Sequence, residues 1–355
     1  MNPRERFLAA CRRQPVDRTP VWMMRQAGRY LPEYRALREK TDFLTLCKTP
    51  ELAAQASLQP VDRFGMDACI IFSVILIPLE AMGLPVTFGD AGPQIEQPVA
   101  QQSDVTALRV PDPVSTMPGV LEALRLTKRA LLDRAALIGF VGAPFTLACY
   151  AVDGGGSKAF SRTKALLYSQ PRLFDELLSK IADTVAALAV AQVAAGAQAV
   201  QVFDTWAGEL EPRAFERCAL PYEQRVIEKI RAAGVPAILY VNGCAGVIEL
   251  MAKAGADVLS IDWRLELSEA RARTGSGVAL QGNVDPAILL TTPALVTEAA
   301  FASLESAGPL GHVLNLGHGI LPQTPIACAQ AFIDAPKAAK EAPSPSQAPS
   351  FERAF

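Results

Sequence analysis

The sequence predicts an α/β chain folded as a single (β/α)8 barrel, eight short parallel strands alternating with helices. Three observations lead there. A unit of amphipathic helix, glycine and short apolar strand recurs: Gly65-Met66-Asp67 before ACIIF, Ala195-Gly196-Ala197 before AVQVF, Ala233-Gly234-Val235 before AILYV and Ala254-Gly255-Ala256 before DVLSI. Glycine ends such helices because it takes the left-handed conformation at little cost. The strands are apolar on both faces and rich in β-branched residues, as parallel strands covered by helices must be. Finally, candidate strands fall near 20–24, 67–72, 137–142, 199–203, 237–241, 257–261, 278–282 and 312–316, and eight of them favour a closed TIM barrel over an open sheet.

The remaining elements follow in order. Residues 84–100, LPVTFGDAGPQIEQPVA, break the rhythm and centre on Gly-Asp-Ala-Gly, which predicts an inserted hairpin. The clearest helix is 170–195, where Leu173, Leu177, Ile181, Val185 and Leu188 recur at steps of three and four. The barrel is expected over 1–334. From about Ala335 the chain is rich in Ala, Pro, Ser and Lys, so 335–355 is expected to be a disordered tail.

The chain has 355 residues, 50% of them hydrophobic, which supplies a large single core. Its net charge of −2 gives the whole molecule no attraction for nucleic acid or anionic membrane. The charge is unevenly spread: residues 1–40 hold nine arginines and one lysine against four acids. Such a stretch is either a solvated face or a pocket for a polyanion. Seven cysteines without a CxxC pair read as reduced thiols. The first residues, MNPRERFLAACRRQ, contain no signal-peptide apolar region, and no uncharged apolar run approaches a membrane span. A cytoplasmic protein is expected.

In barrels of this kind chemistry gathers where strands end and loops begin. Arg25 and Arg29 flank the turn MRQAGRY after the first strand, where planar guanidinium forks suit carboxylates, although two surface arginines would look the same. Gly154-Gly155-Gly156-Ser157-Lys158 lacks phosphate-loop spacing and reads as a loop over the mouth. Asp204, Thr205, Asp262, Asp285 and His318 also follow strands directly, with helix capping the plainer reading for Asp285. His318, between two glycines, is the functional candidate of the two histidines; His312 falls at the opposite end. Tyr150 reads equally as a core phenol or a hydroxyl offered to a ligand.

These residues lie in longer motifs. PVWMMRQAGRYLPEYR, ending at Arg35, and GFVGAPFTLACYAVDGGGSK at 139–158 resemble the two signatures of the uroporphyrinogen decarboxylase family. FDTWAGELEP, QGNVDP and NLGHGILPQTP fall in that family's order, and the similarity spans about 3–334. The resemblance implies a homodimeric barrel that removes carbon dioxide from the four acetate side chains of uroporphyrinogen, giving coproporphyrinogen, with no metal or organic cofactor. It implies that Arg25 and Arg29 bind substrate carboxylates, that one of them serves as proton donor, that Tyr150 belongs to the site, that Thr205 stands where many members have Ser, and that His318 contacts a carboxylate. The basic segment 1–40 would then supply charge for a substrate carrying eight carboxylates.

The resemblance departs at one place. The family pattern reads Phe-Ser-Asp-Ile-Leu where this chain reads Phe72-Ser73-Val74-Ile75-Leu76. The family's aspartate is expected to accept the pyrrole N–H groups and to face a cationic intermediate; Val74 does neither. Two alternatives follow: a catalytically inactive tetrapyrrole-binding relative, and a zinc-dependent, corrinoid-type methyltransferase of the same superfamily. The second needs a His-x-Cys pair, and this chain has Asn242-Gly243-Cys244.

Overall fold

The structure, a computed structural model, describes residues 1–89, 92–157 and 159–341. Its strands are β1 (Ala68–Ile70), β2 (Val86–Gly89), β3 (Gly92–Ile95), β4 (Ala136–Gly142), β5 (Ala199–Asp204), β6 (Ala237–Val241), β7 (Val258–Ser260), β8 (Ala279–Val284) and β9 (His312–Leu316). β1 and β4 to β9 form one parallel sheet in that order. β2 and β3 pair antiparallel as the predicted hairpin, whose centre, Asp90-Ala91, lies outside the described residues. The glycines of the four repeats, Gly65, Gly196, Gly234 and Gly255, all have positive φ. Helix Pro171–Ala194 buries Leu173, Leu177, Ile181, Val185 and Leu188. That helix is long and apolar enough to cross a membrane by length and composition alone, a test that a buried core helix also passes; here it packs on helices Leu220–Ala232 and Pro144–Asp153 and on β4.

The predicted strand at 20–24 is reduced to one parallel bridge, Val21 to Leu314. The segment still occupies the eighth position. Leu314 N donates to Pro20 O (2.9 Å) and Trp22 N to Leu314 O (3.3 Å) on one side, while Asp67 N donates to Val21 O (2.9 Å) on the other. The ladder stops for two reasons. Pro20 has no N–H, and the Val21 amide goes to the Asp67 carboxylate (2.9 Å) instead of a strand carbonyl.

That carboxylate is fully buried. It also accepts from Arg6 Nη1 (2.7 Å), Arg18 Nη1 (2.7 Å) and Arg18 Nη2 (3.0 Å). Arg6 is tied in turn to Asp17 by two further bonds, of 2.7 and 2.9 Å. One anion thus holds the N-terminal helix Pro3–Cys11, the eighth segment and the start of β1 together.

Alternate strand residues face two apolar layers. Leu137, Val141, Val200, Val202, Leu239 and Ile261 join the helix-side core, while Ile138, Ile238, Tyr240, Val258 and Val313 join the other. The barrel interior also carries a polar chain. Trp22 Nε1 donates to Gln281 Oε1 (2.9 Å), and Gln281 Nε2 donates to Gln201 Oε1 (3.0 Å) and Ser260 Oγ (2.9 Å). Each of these groups is buried, and each bond removes an otherwise costly orphan.

At the end of β5 lies a buried acid pair. Asp204 accepts from Thr146 N (3.1 Å) and Thr146 Oγ1 (2.6 Å). Glu223, on helix Leu220–Ala232, is equally buried and within charge reach. Burial pushes Asp204 up to about 6. Burial first, then the Asp204 charge, raises Glu223 well above the usual carboxyl range. Two acids so placed are satisfied by sharing a proton.

The last helix runs Ile326–Glu341, so residues 335–341, expected in a disordered tail, continue it. Residues 342–355 lie outside the described residues.

Two predictions follow from these buried charges. Asp67→Asn leaves the largely buried Arg18 without its counter-charge and Arg6 with Asp17 alone, and should cost about 3–5 kcal/mol. Urea unfolding measures it, and a loss below about 1 kcal/mol would contradict the role given to Asp67. For the acid pair the raised folded values set the sign. Above about pH 4.5 the unfolded chain releases protons that the folded chain keeps, so the pair's contribution to stability falls as pH rises. Glu223→Gln removes one titrating proton. Its stability relative to the parent should improve by on the order of 2 kcal/mol between pH 5 and pH 8. An equal difference at both pH values would show that the fold does not hold Glu223 protonated.

Candidate active site

The closing segment delivers Arg25 to the carboxyl-terminal rim of the barrel. Arg25 adopts φ +59, and its side chain lies across Gly319. A Cβ on residue 319 would stand 2.6 Å from Arg25 Cγ and 2.9 Å from Nε, so this position admits only glycine while the arginine is there. Ile320 N donates to Met24 O (2.9 Å) and ties the two loops. The arrangement fixes Arg25 beside His318.

The His318 ring packs 6.2 Å from that of Tyr240, whose hydroxyl donates to Gly317 O (3.0 Å). His318 Nδ1 accepts from Gly319 N (2.7 Å), which leaves the neutral ring's proton on Nε2. Burial, then the charges of Arg25 and Arg264, push His318 down to about 4, with Asp262 opposing. At neutral pH the ring is therefore an uncharged donor.

Tyr150, on helix Pro144–Asp153, is half-buried and stacks on Trp206 with centroids 4.3 Å apart. Phe160 packs on the same indole at 4.5 Å. Burial raises the Tyr150 phenol and the Arg25 charge opposes it, which puts the two within electrostatic reach. Thr205 is half-buried in the turn after β5. That turn is held from below: Thr146 Oγ1 donates to Asp204 and accepts from Trp206 N (3.1 Å). Arg29 is exposed, close enough to Tyr34 for its charge to be felt. The loop Gly154–Ser157 leans on the hairpin through Ile95 N to Gly154 O (2.8 Å); Lys158 is outside the described residues.

The basic segment 1–40 is not a single pocket, contrary to the expectation. Arg4 pairs with Asp133 (2.8 Å), and Arg6 and Arg18 are spent on Asp67. Arg35 donates to the carbonyls of Arg29 (2.8 Å) and Tyr30 (3.1 Å), and Arg38 to Thr41 O (2.6 Å). Arg25 and Arg29 have no ion-pair partner among the described residues, so they are the segment's charges at the rim.

Val74 also departs from expectation. Its partly buried side chain packs against the helix-side core and lines a gap of about 10 Å³ with Val120, Phe140, Leu188 and Gln192. An aliphatic residue gains by turning to that layer, whereas an aspartate would have to turn from it. Sequence reasoning missed Arg264, which lies over the Trp263 ring at 4.2 Å and pairs with buried Asp262 (3.3 Å). Its signal was available, since it lies two residues beyond Asp262 in the segment after β7. Asp285 caps its turn through Ala287 N (2.8 Å), and His312 is buried with Nε2 on Gly282 O (2.9 Å).

The residues do not fit the zinc alternative. Asn242 Oδ1 accepts from Arg264 Nη1 (3.2 Å), so a guanidinium occupies the atom that would have to bind metal. Cys244 is fully buried, and burial pushes its thiol up to about 12. Among the described residues no group of three or more His, Cys, Asp or Glu suits a metal ion.

The solved structure of a methyltransferase from Methanosarcina mazei shares the fold at a TM-score of 0.83, with 22% identity, covering 96% of this chain and 99% of that one. A uroporphyrinogen decarboxylase of Anaeromyxobacter dehalogenans is 50% identical over 338 residues, 93% of this chain and 97% of that protein. One from Myxococcus xanthus is 49% identical over 331 residues, 93% and 95% of the two chains. The family model for uroporphyrinogen decarboxylase (URO-D) matches residues 2–339. The chain therefore belongs to the uroporphyrinogen decarboxylase family.

Proposed function

We propose that this chain is a carboxy-lyase of tetrapyrrole biosynthesis that converts uroporphyrinogen to coproporphyrinogen, and that Val74 slows it. The observation that carries the reading is Arg25 held across Gly319 beside a neutral His318, in a chain half identical to its relatives. Arg25 and Arg29 bind substrate carboxylates through charge-assisted hydrogen bonds. His318 donates its Nε2 proton to a third, and Tyr150 and Thr205 add hydroxyls. The protein works in the cytoplasm as a homodimer, with no nucleic-acid or membrane partner. Sedimentation showing only monomer at micromolar concentration would contradict the dimer.

The chemistry follows from having the substrate's own ring take the electrons. A proton enters a pyrrole carbon and makes the ring cationic. The bond to the carboxylate breaks, carbon dioxide leaves, and the electron pair neutralises the ring. A second proton converts the exocyclic methylene to methyl, and the ring carbon loses the first. Each acetate consumes one proton net. The cationic ring needs a nearby anion, and Val74 offers none.

Two substitutions test this. Arg29→Ala should weaken uroporphyrinogen binding at least about tenfold, the worth of one charge-assisted bond, while the melting temperature stays put. Unchanged affinity with a lower melting temperature would make Arg29 structural. Val74→Asp should turn its carboxylate out of the apolar gap and into the mouth, raising anaerobic coproporphyrinogen formation about 10²–10³-fold. Equal rates for the two proteins would show that Val74 is harmless. Binding without turnover in the parent, unrelieved by the aspartate, would favour an inactive tetrapyrrole-binding relative.

A further inference from the structure

The opposite end of the barrel holds a second basic cleft. It lies at the amino-terminal ends of β7 and β8, where Asp257 and Val278 precede the strands, and it has a volume of about 440 Å³. Arg12, Arg13 and Arg231 line it with Asp257 and Thr274. Asp257 is its one carboxylate, and that charge is engaged: it pairs with Arg231 (3.3 Å) and accepts from Ala237 N (2.9 Å). Arg271 stands behind the cleft and is held by carbonyls, including Val278 O (3.1 Å) and Gly311 O (3.3 Å). Arg12 has no side-chain hydrogen bond or ion pair among the described residues.

Arg13 is the least expected member. Helix Pro3–Cys11 ends in a turn closed by Arg13 N to Ala10 O (3.0 Å) and Gln14 N to Ala9 O (2.9 Å). The residue after such a cap takes the left-handed conformation, where glycine is usual. Here it is an arginine at φ +55, a conformation that any Cβ makes unfavourable. Its stem crosses Gly311, and its Nε is buried with no partner. The chain itself closes off that Nε, so a ligand would meet the rest of the group: Arg13 has no side-chain hydrogen bond or ion pair among the described residues, and its partly exposed side chain lines the cleft.

We propose that this cleft binds a small oxyanion of two or more charges, carried on phosphate or carboxylate groups, through Arg13 and Arg12 with Arg231 beside them. Guanidinium forks suit both groups. The cleft is at the far end from Arg25 and His318, so the site is independent of the reaction proposed above.

Calorimetric titration of the full chain in 150 mM NaCl, with pyrophosphate and separately with citrate, tests the site. At least one should bind saturably with Kd below about 1 mM. Binding of pyrophosphate alone would identify a phosphate ligand, citrate alone a carboxylate ligand, and both the shared oxyanion chemistry. Arg13→Gly should weaken binding at least about tenfold. It should also melt no lower than the parent, because glycine suits φ +55. Arg12→Gln, at an exposed side chain, gives a second reading and should also weaken binding. Arg29→Ala, at the other end, should leave this binding unchanged. No saturation by either anion up to about 5 mM, or wild-type binding by Arg13→Gly, would overturn the proposal. So would a loss confined to Arg29→Ala.

Discussion

The fully buried carboxylate of Asp67 is the interaction on which the rest of the molecule depends. It binds Arg6 and Arg18 and takes the Val21 amide, while its own backbone amide returns to Val21 O. A ring of parallel strands has to be closed by a segment that pairs on both sides. Here that segment begins with proline and contributes only one bridge. Side-chain charge replaces the missing ladder. Closure then fixes where Met24 ends, and Met24 O receives Ile320 N, so Arg25 leaves the segment directly over Gly319. The charge at one end of the barrel thereby positions the cation at the other.

The rim built this way has strong donors and little anion. Arg25 and Arg29 carry free charge, His318 is kept neutral with its proton on Nε2, and Arg264 is half-neutralised by Asp262. Such a rim suits a ligand with several carboxylates. It suits a cationic ring less well, because Asp262 is already bound by the Gly243, Cys244 and Arg264 amides and the Asp204–Glu223 pair is sealed below the turn. On the proposed reading, capture of substrate carboxylates and stabilisation of a cationic ring fall to different residues, and Val74 stands where the second would be expected.

Much of this was legible in the sequence, for physical reasons. The helix–glycine–strand repeat read correctly because local conformation and burial agree at each unit, as at Gly65 and Gly255. Arg25 and His318 could be placed near the rim from sequence because each follows a strand segment, whereas Tyr150 lies on the helix after β4, where the sequence left core and ligand roles open. Other features depend on partners distant in sequence. That Arg6 and Arg18 serve Asp67, 61 and 49 residues away, cannot be seen from a charge count. The Asp204–Glu223 pair is hidden likewise, since Glu223 sits on a helix whose pattern alone would allow it solvent. Val74 turned to the helix layer because an aliphatic side chain follows burial rather than its position in a motif. The last helix overran its expected end because composition is a weak guide to a boundary.

The central claim is that the rim around Arg25 and His318 is the receptor for substrate carboxylates. A crystal structure of the chain with coproporphyrinogen, grown without oxygen, tests it directly. Carboxylates of the tetrapyrrole should lie within hydrogen-bond distance of the Arg25 and Arg29 guanidiniums and of His318 Nε2, with the ring facing Tyr150 and residue 74. A tetrapyrrole bound elsewhere, or one whose carboxylates leave Arg25 and His318 untouched, would contradict it.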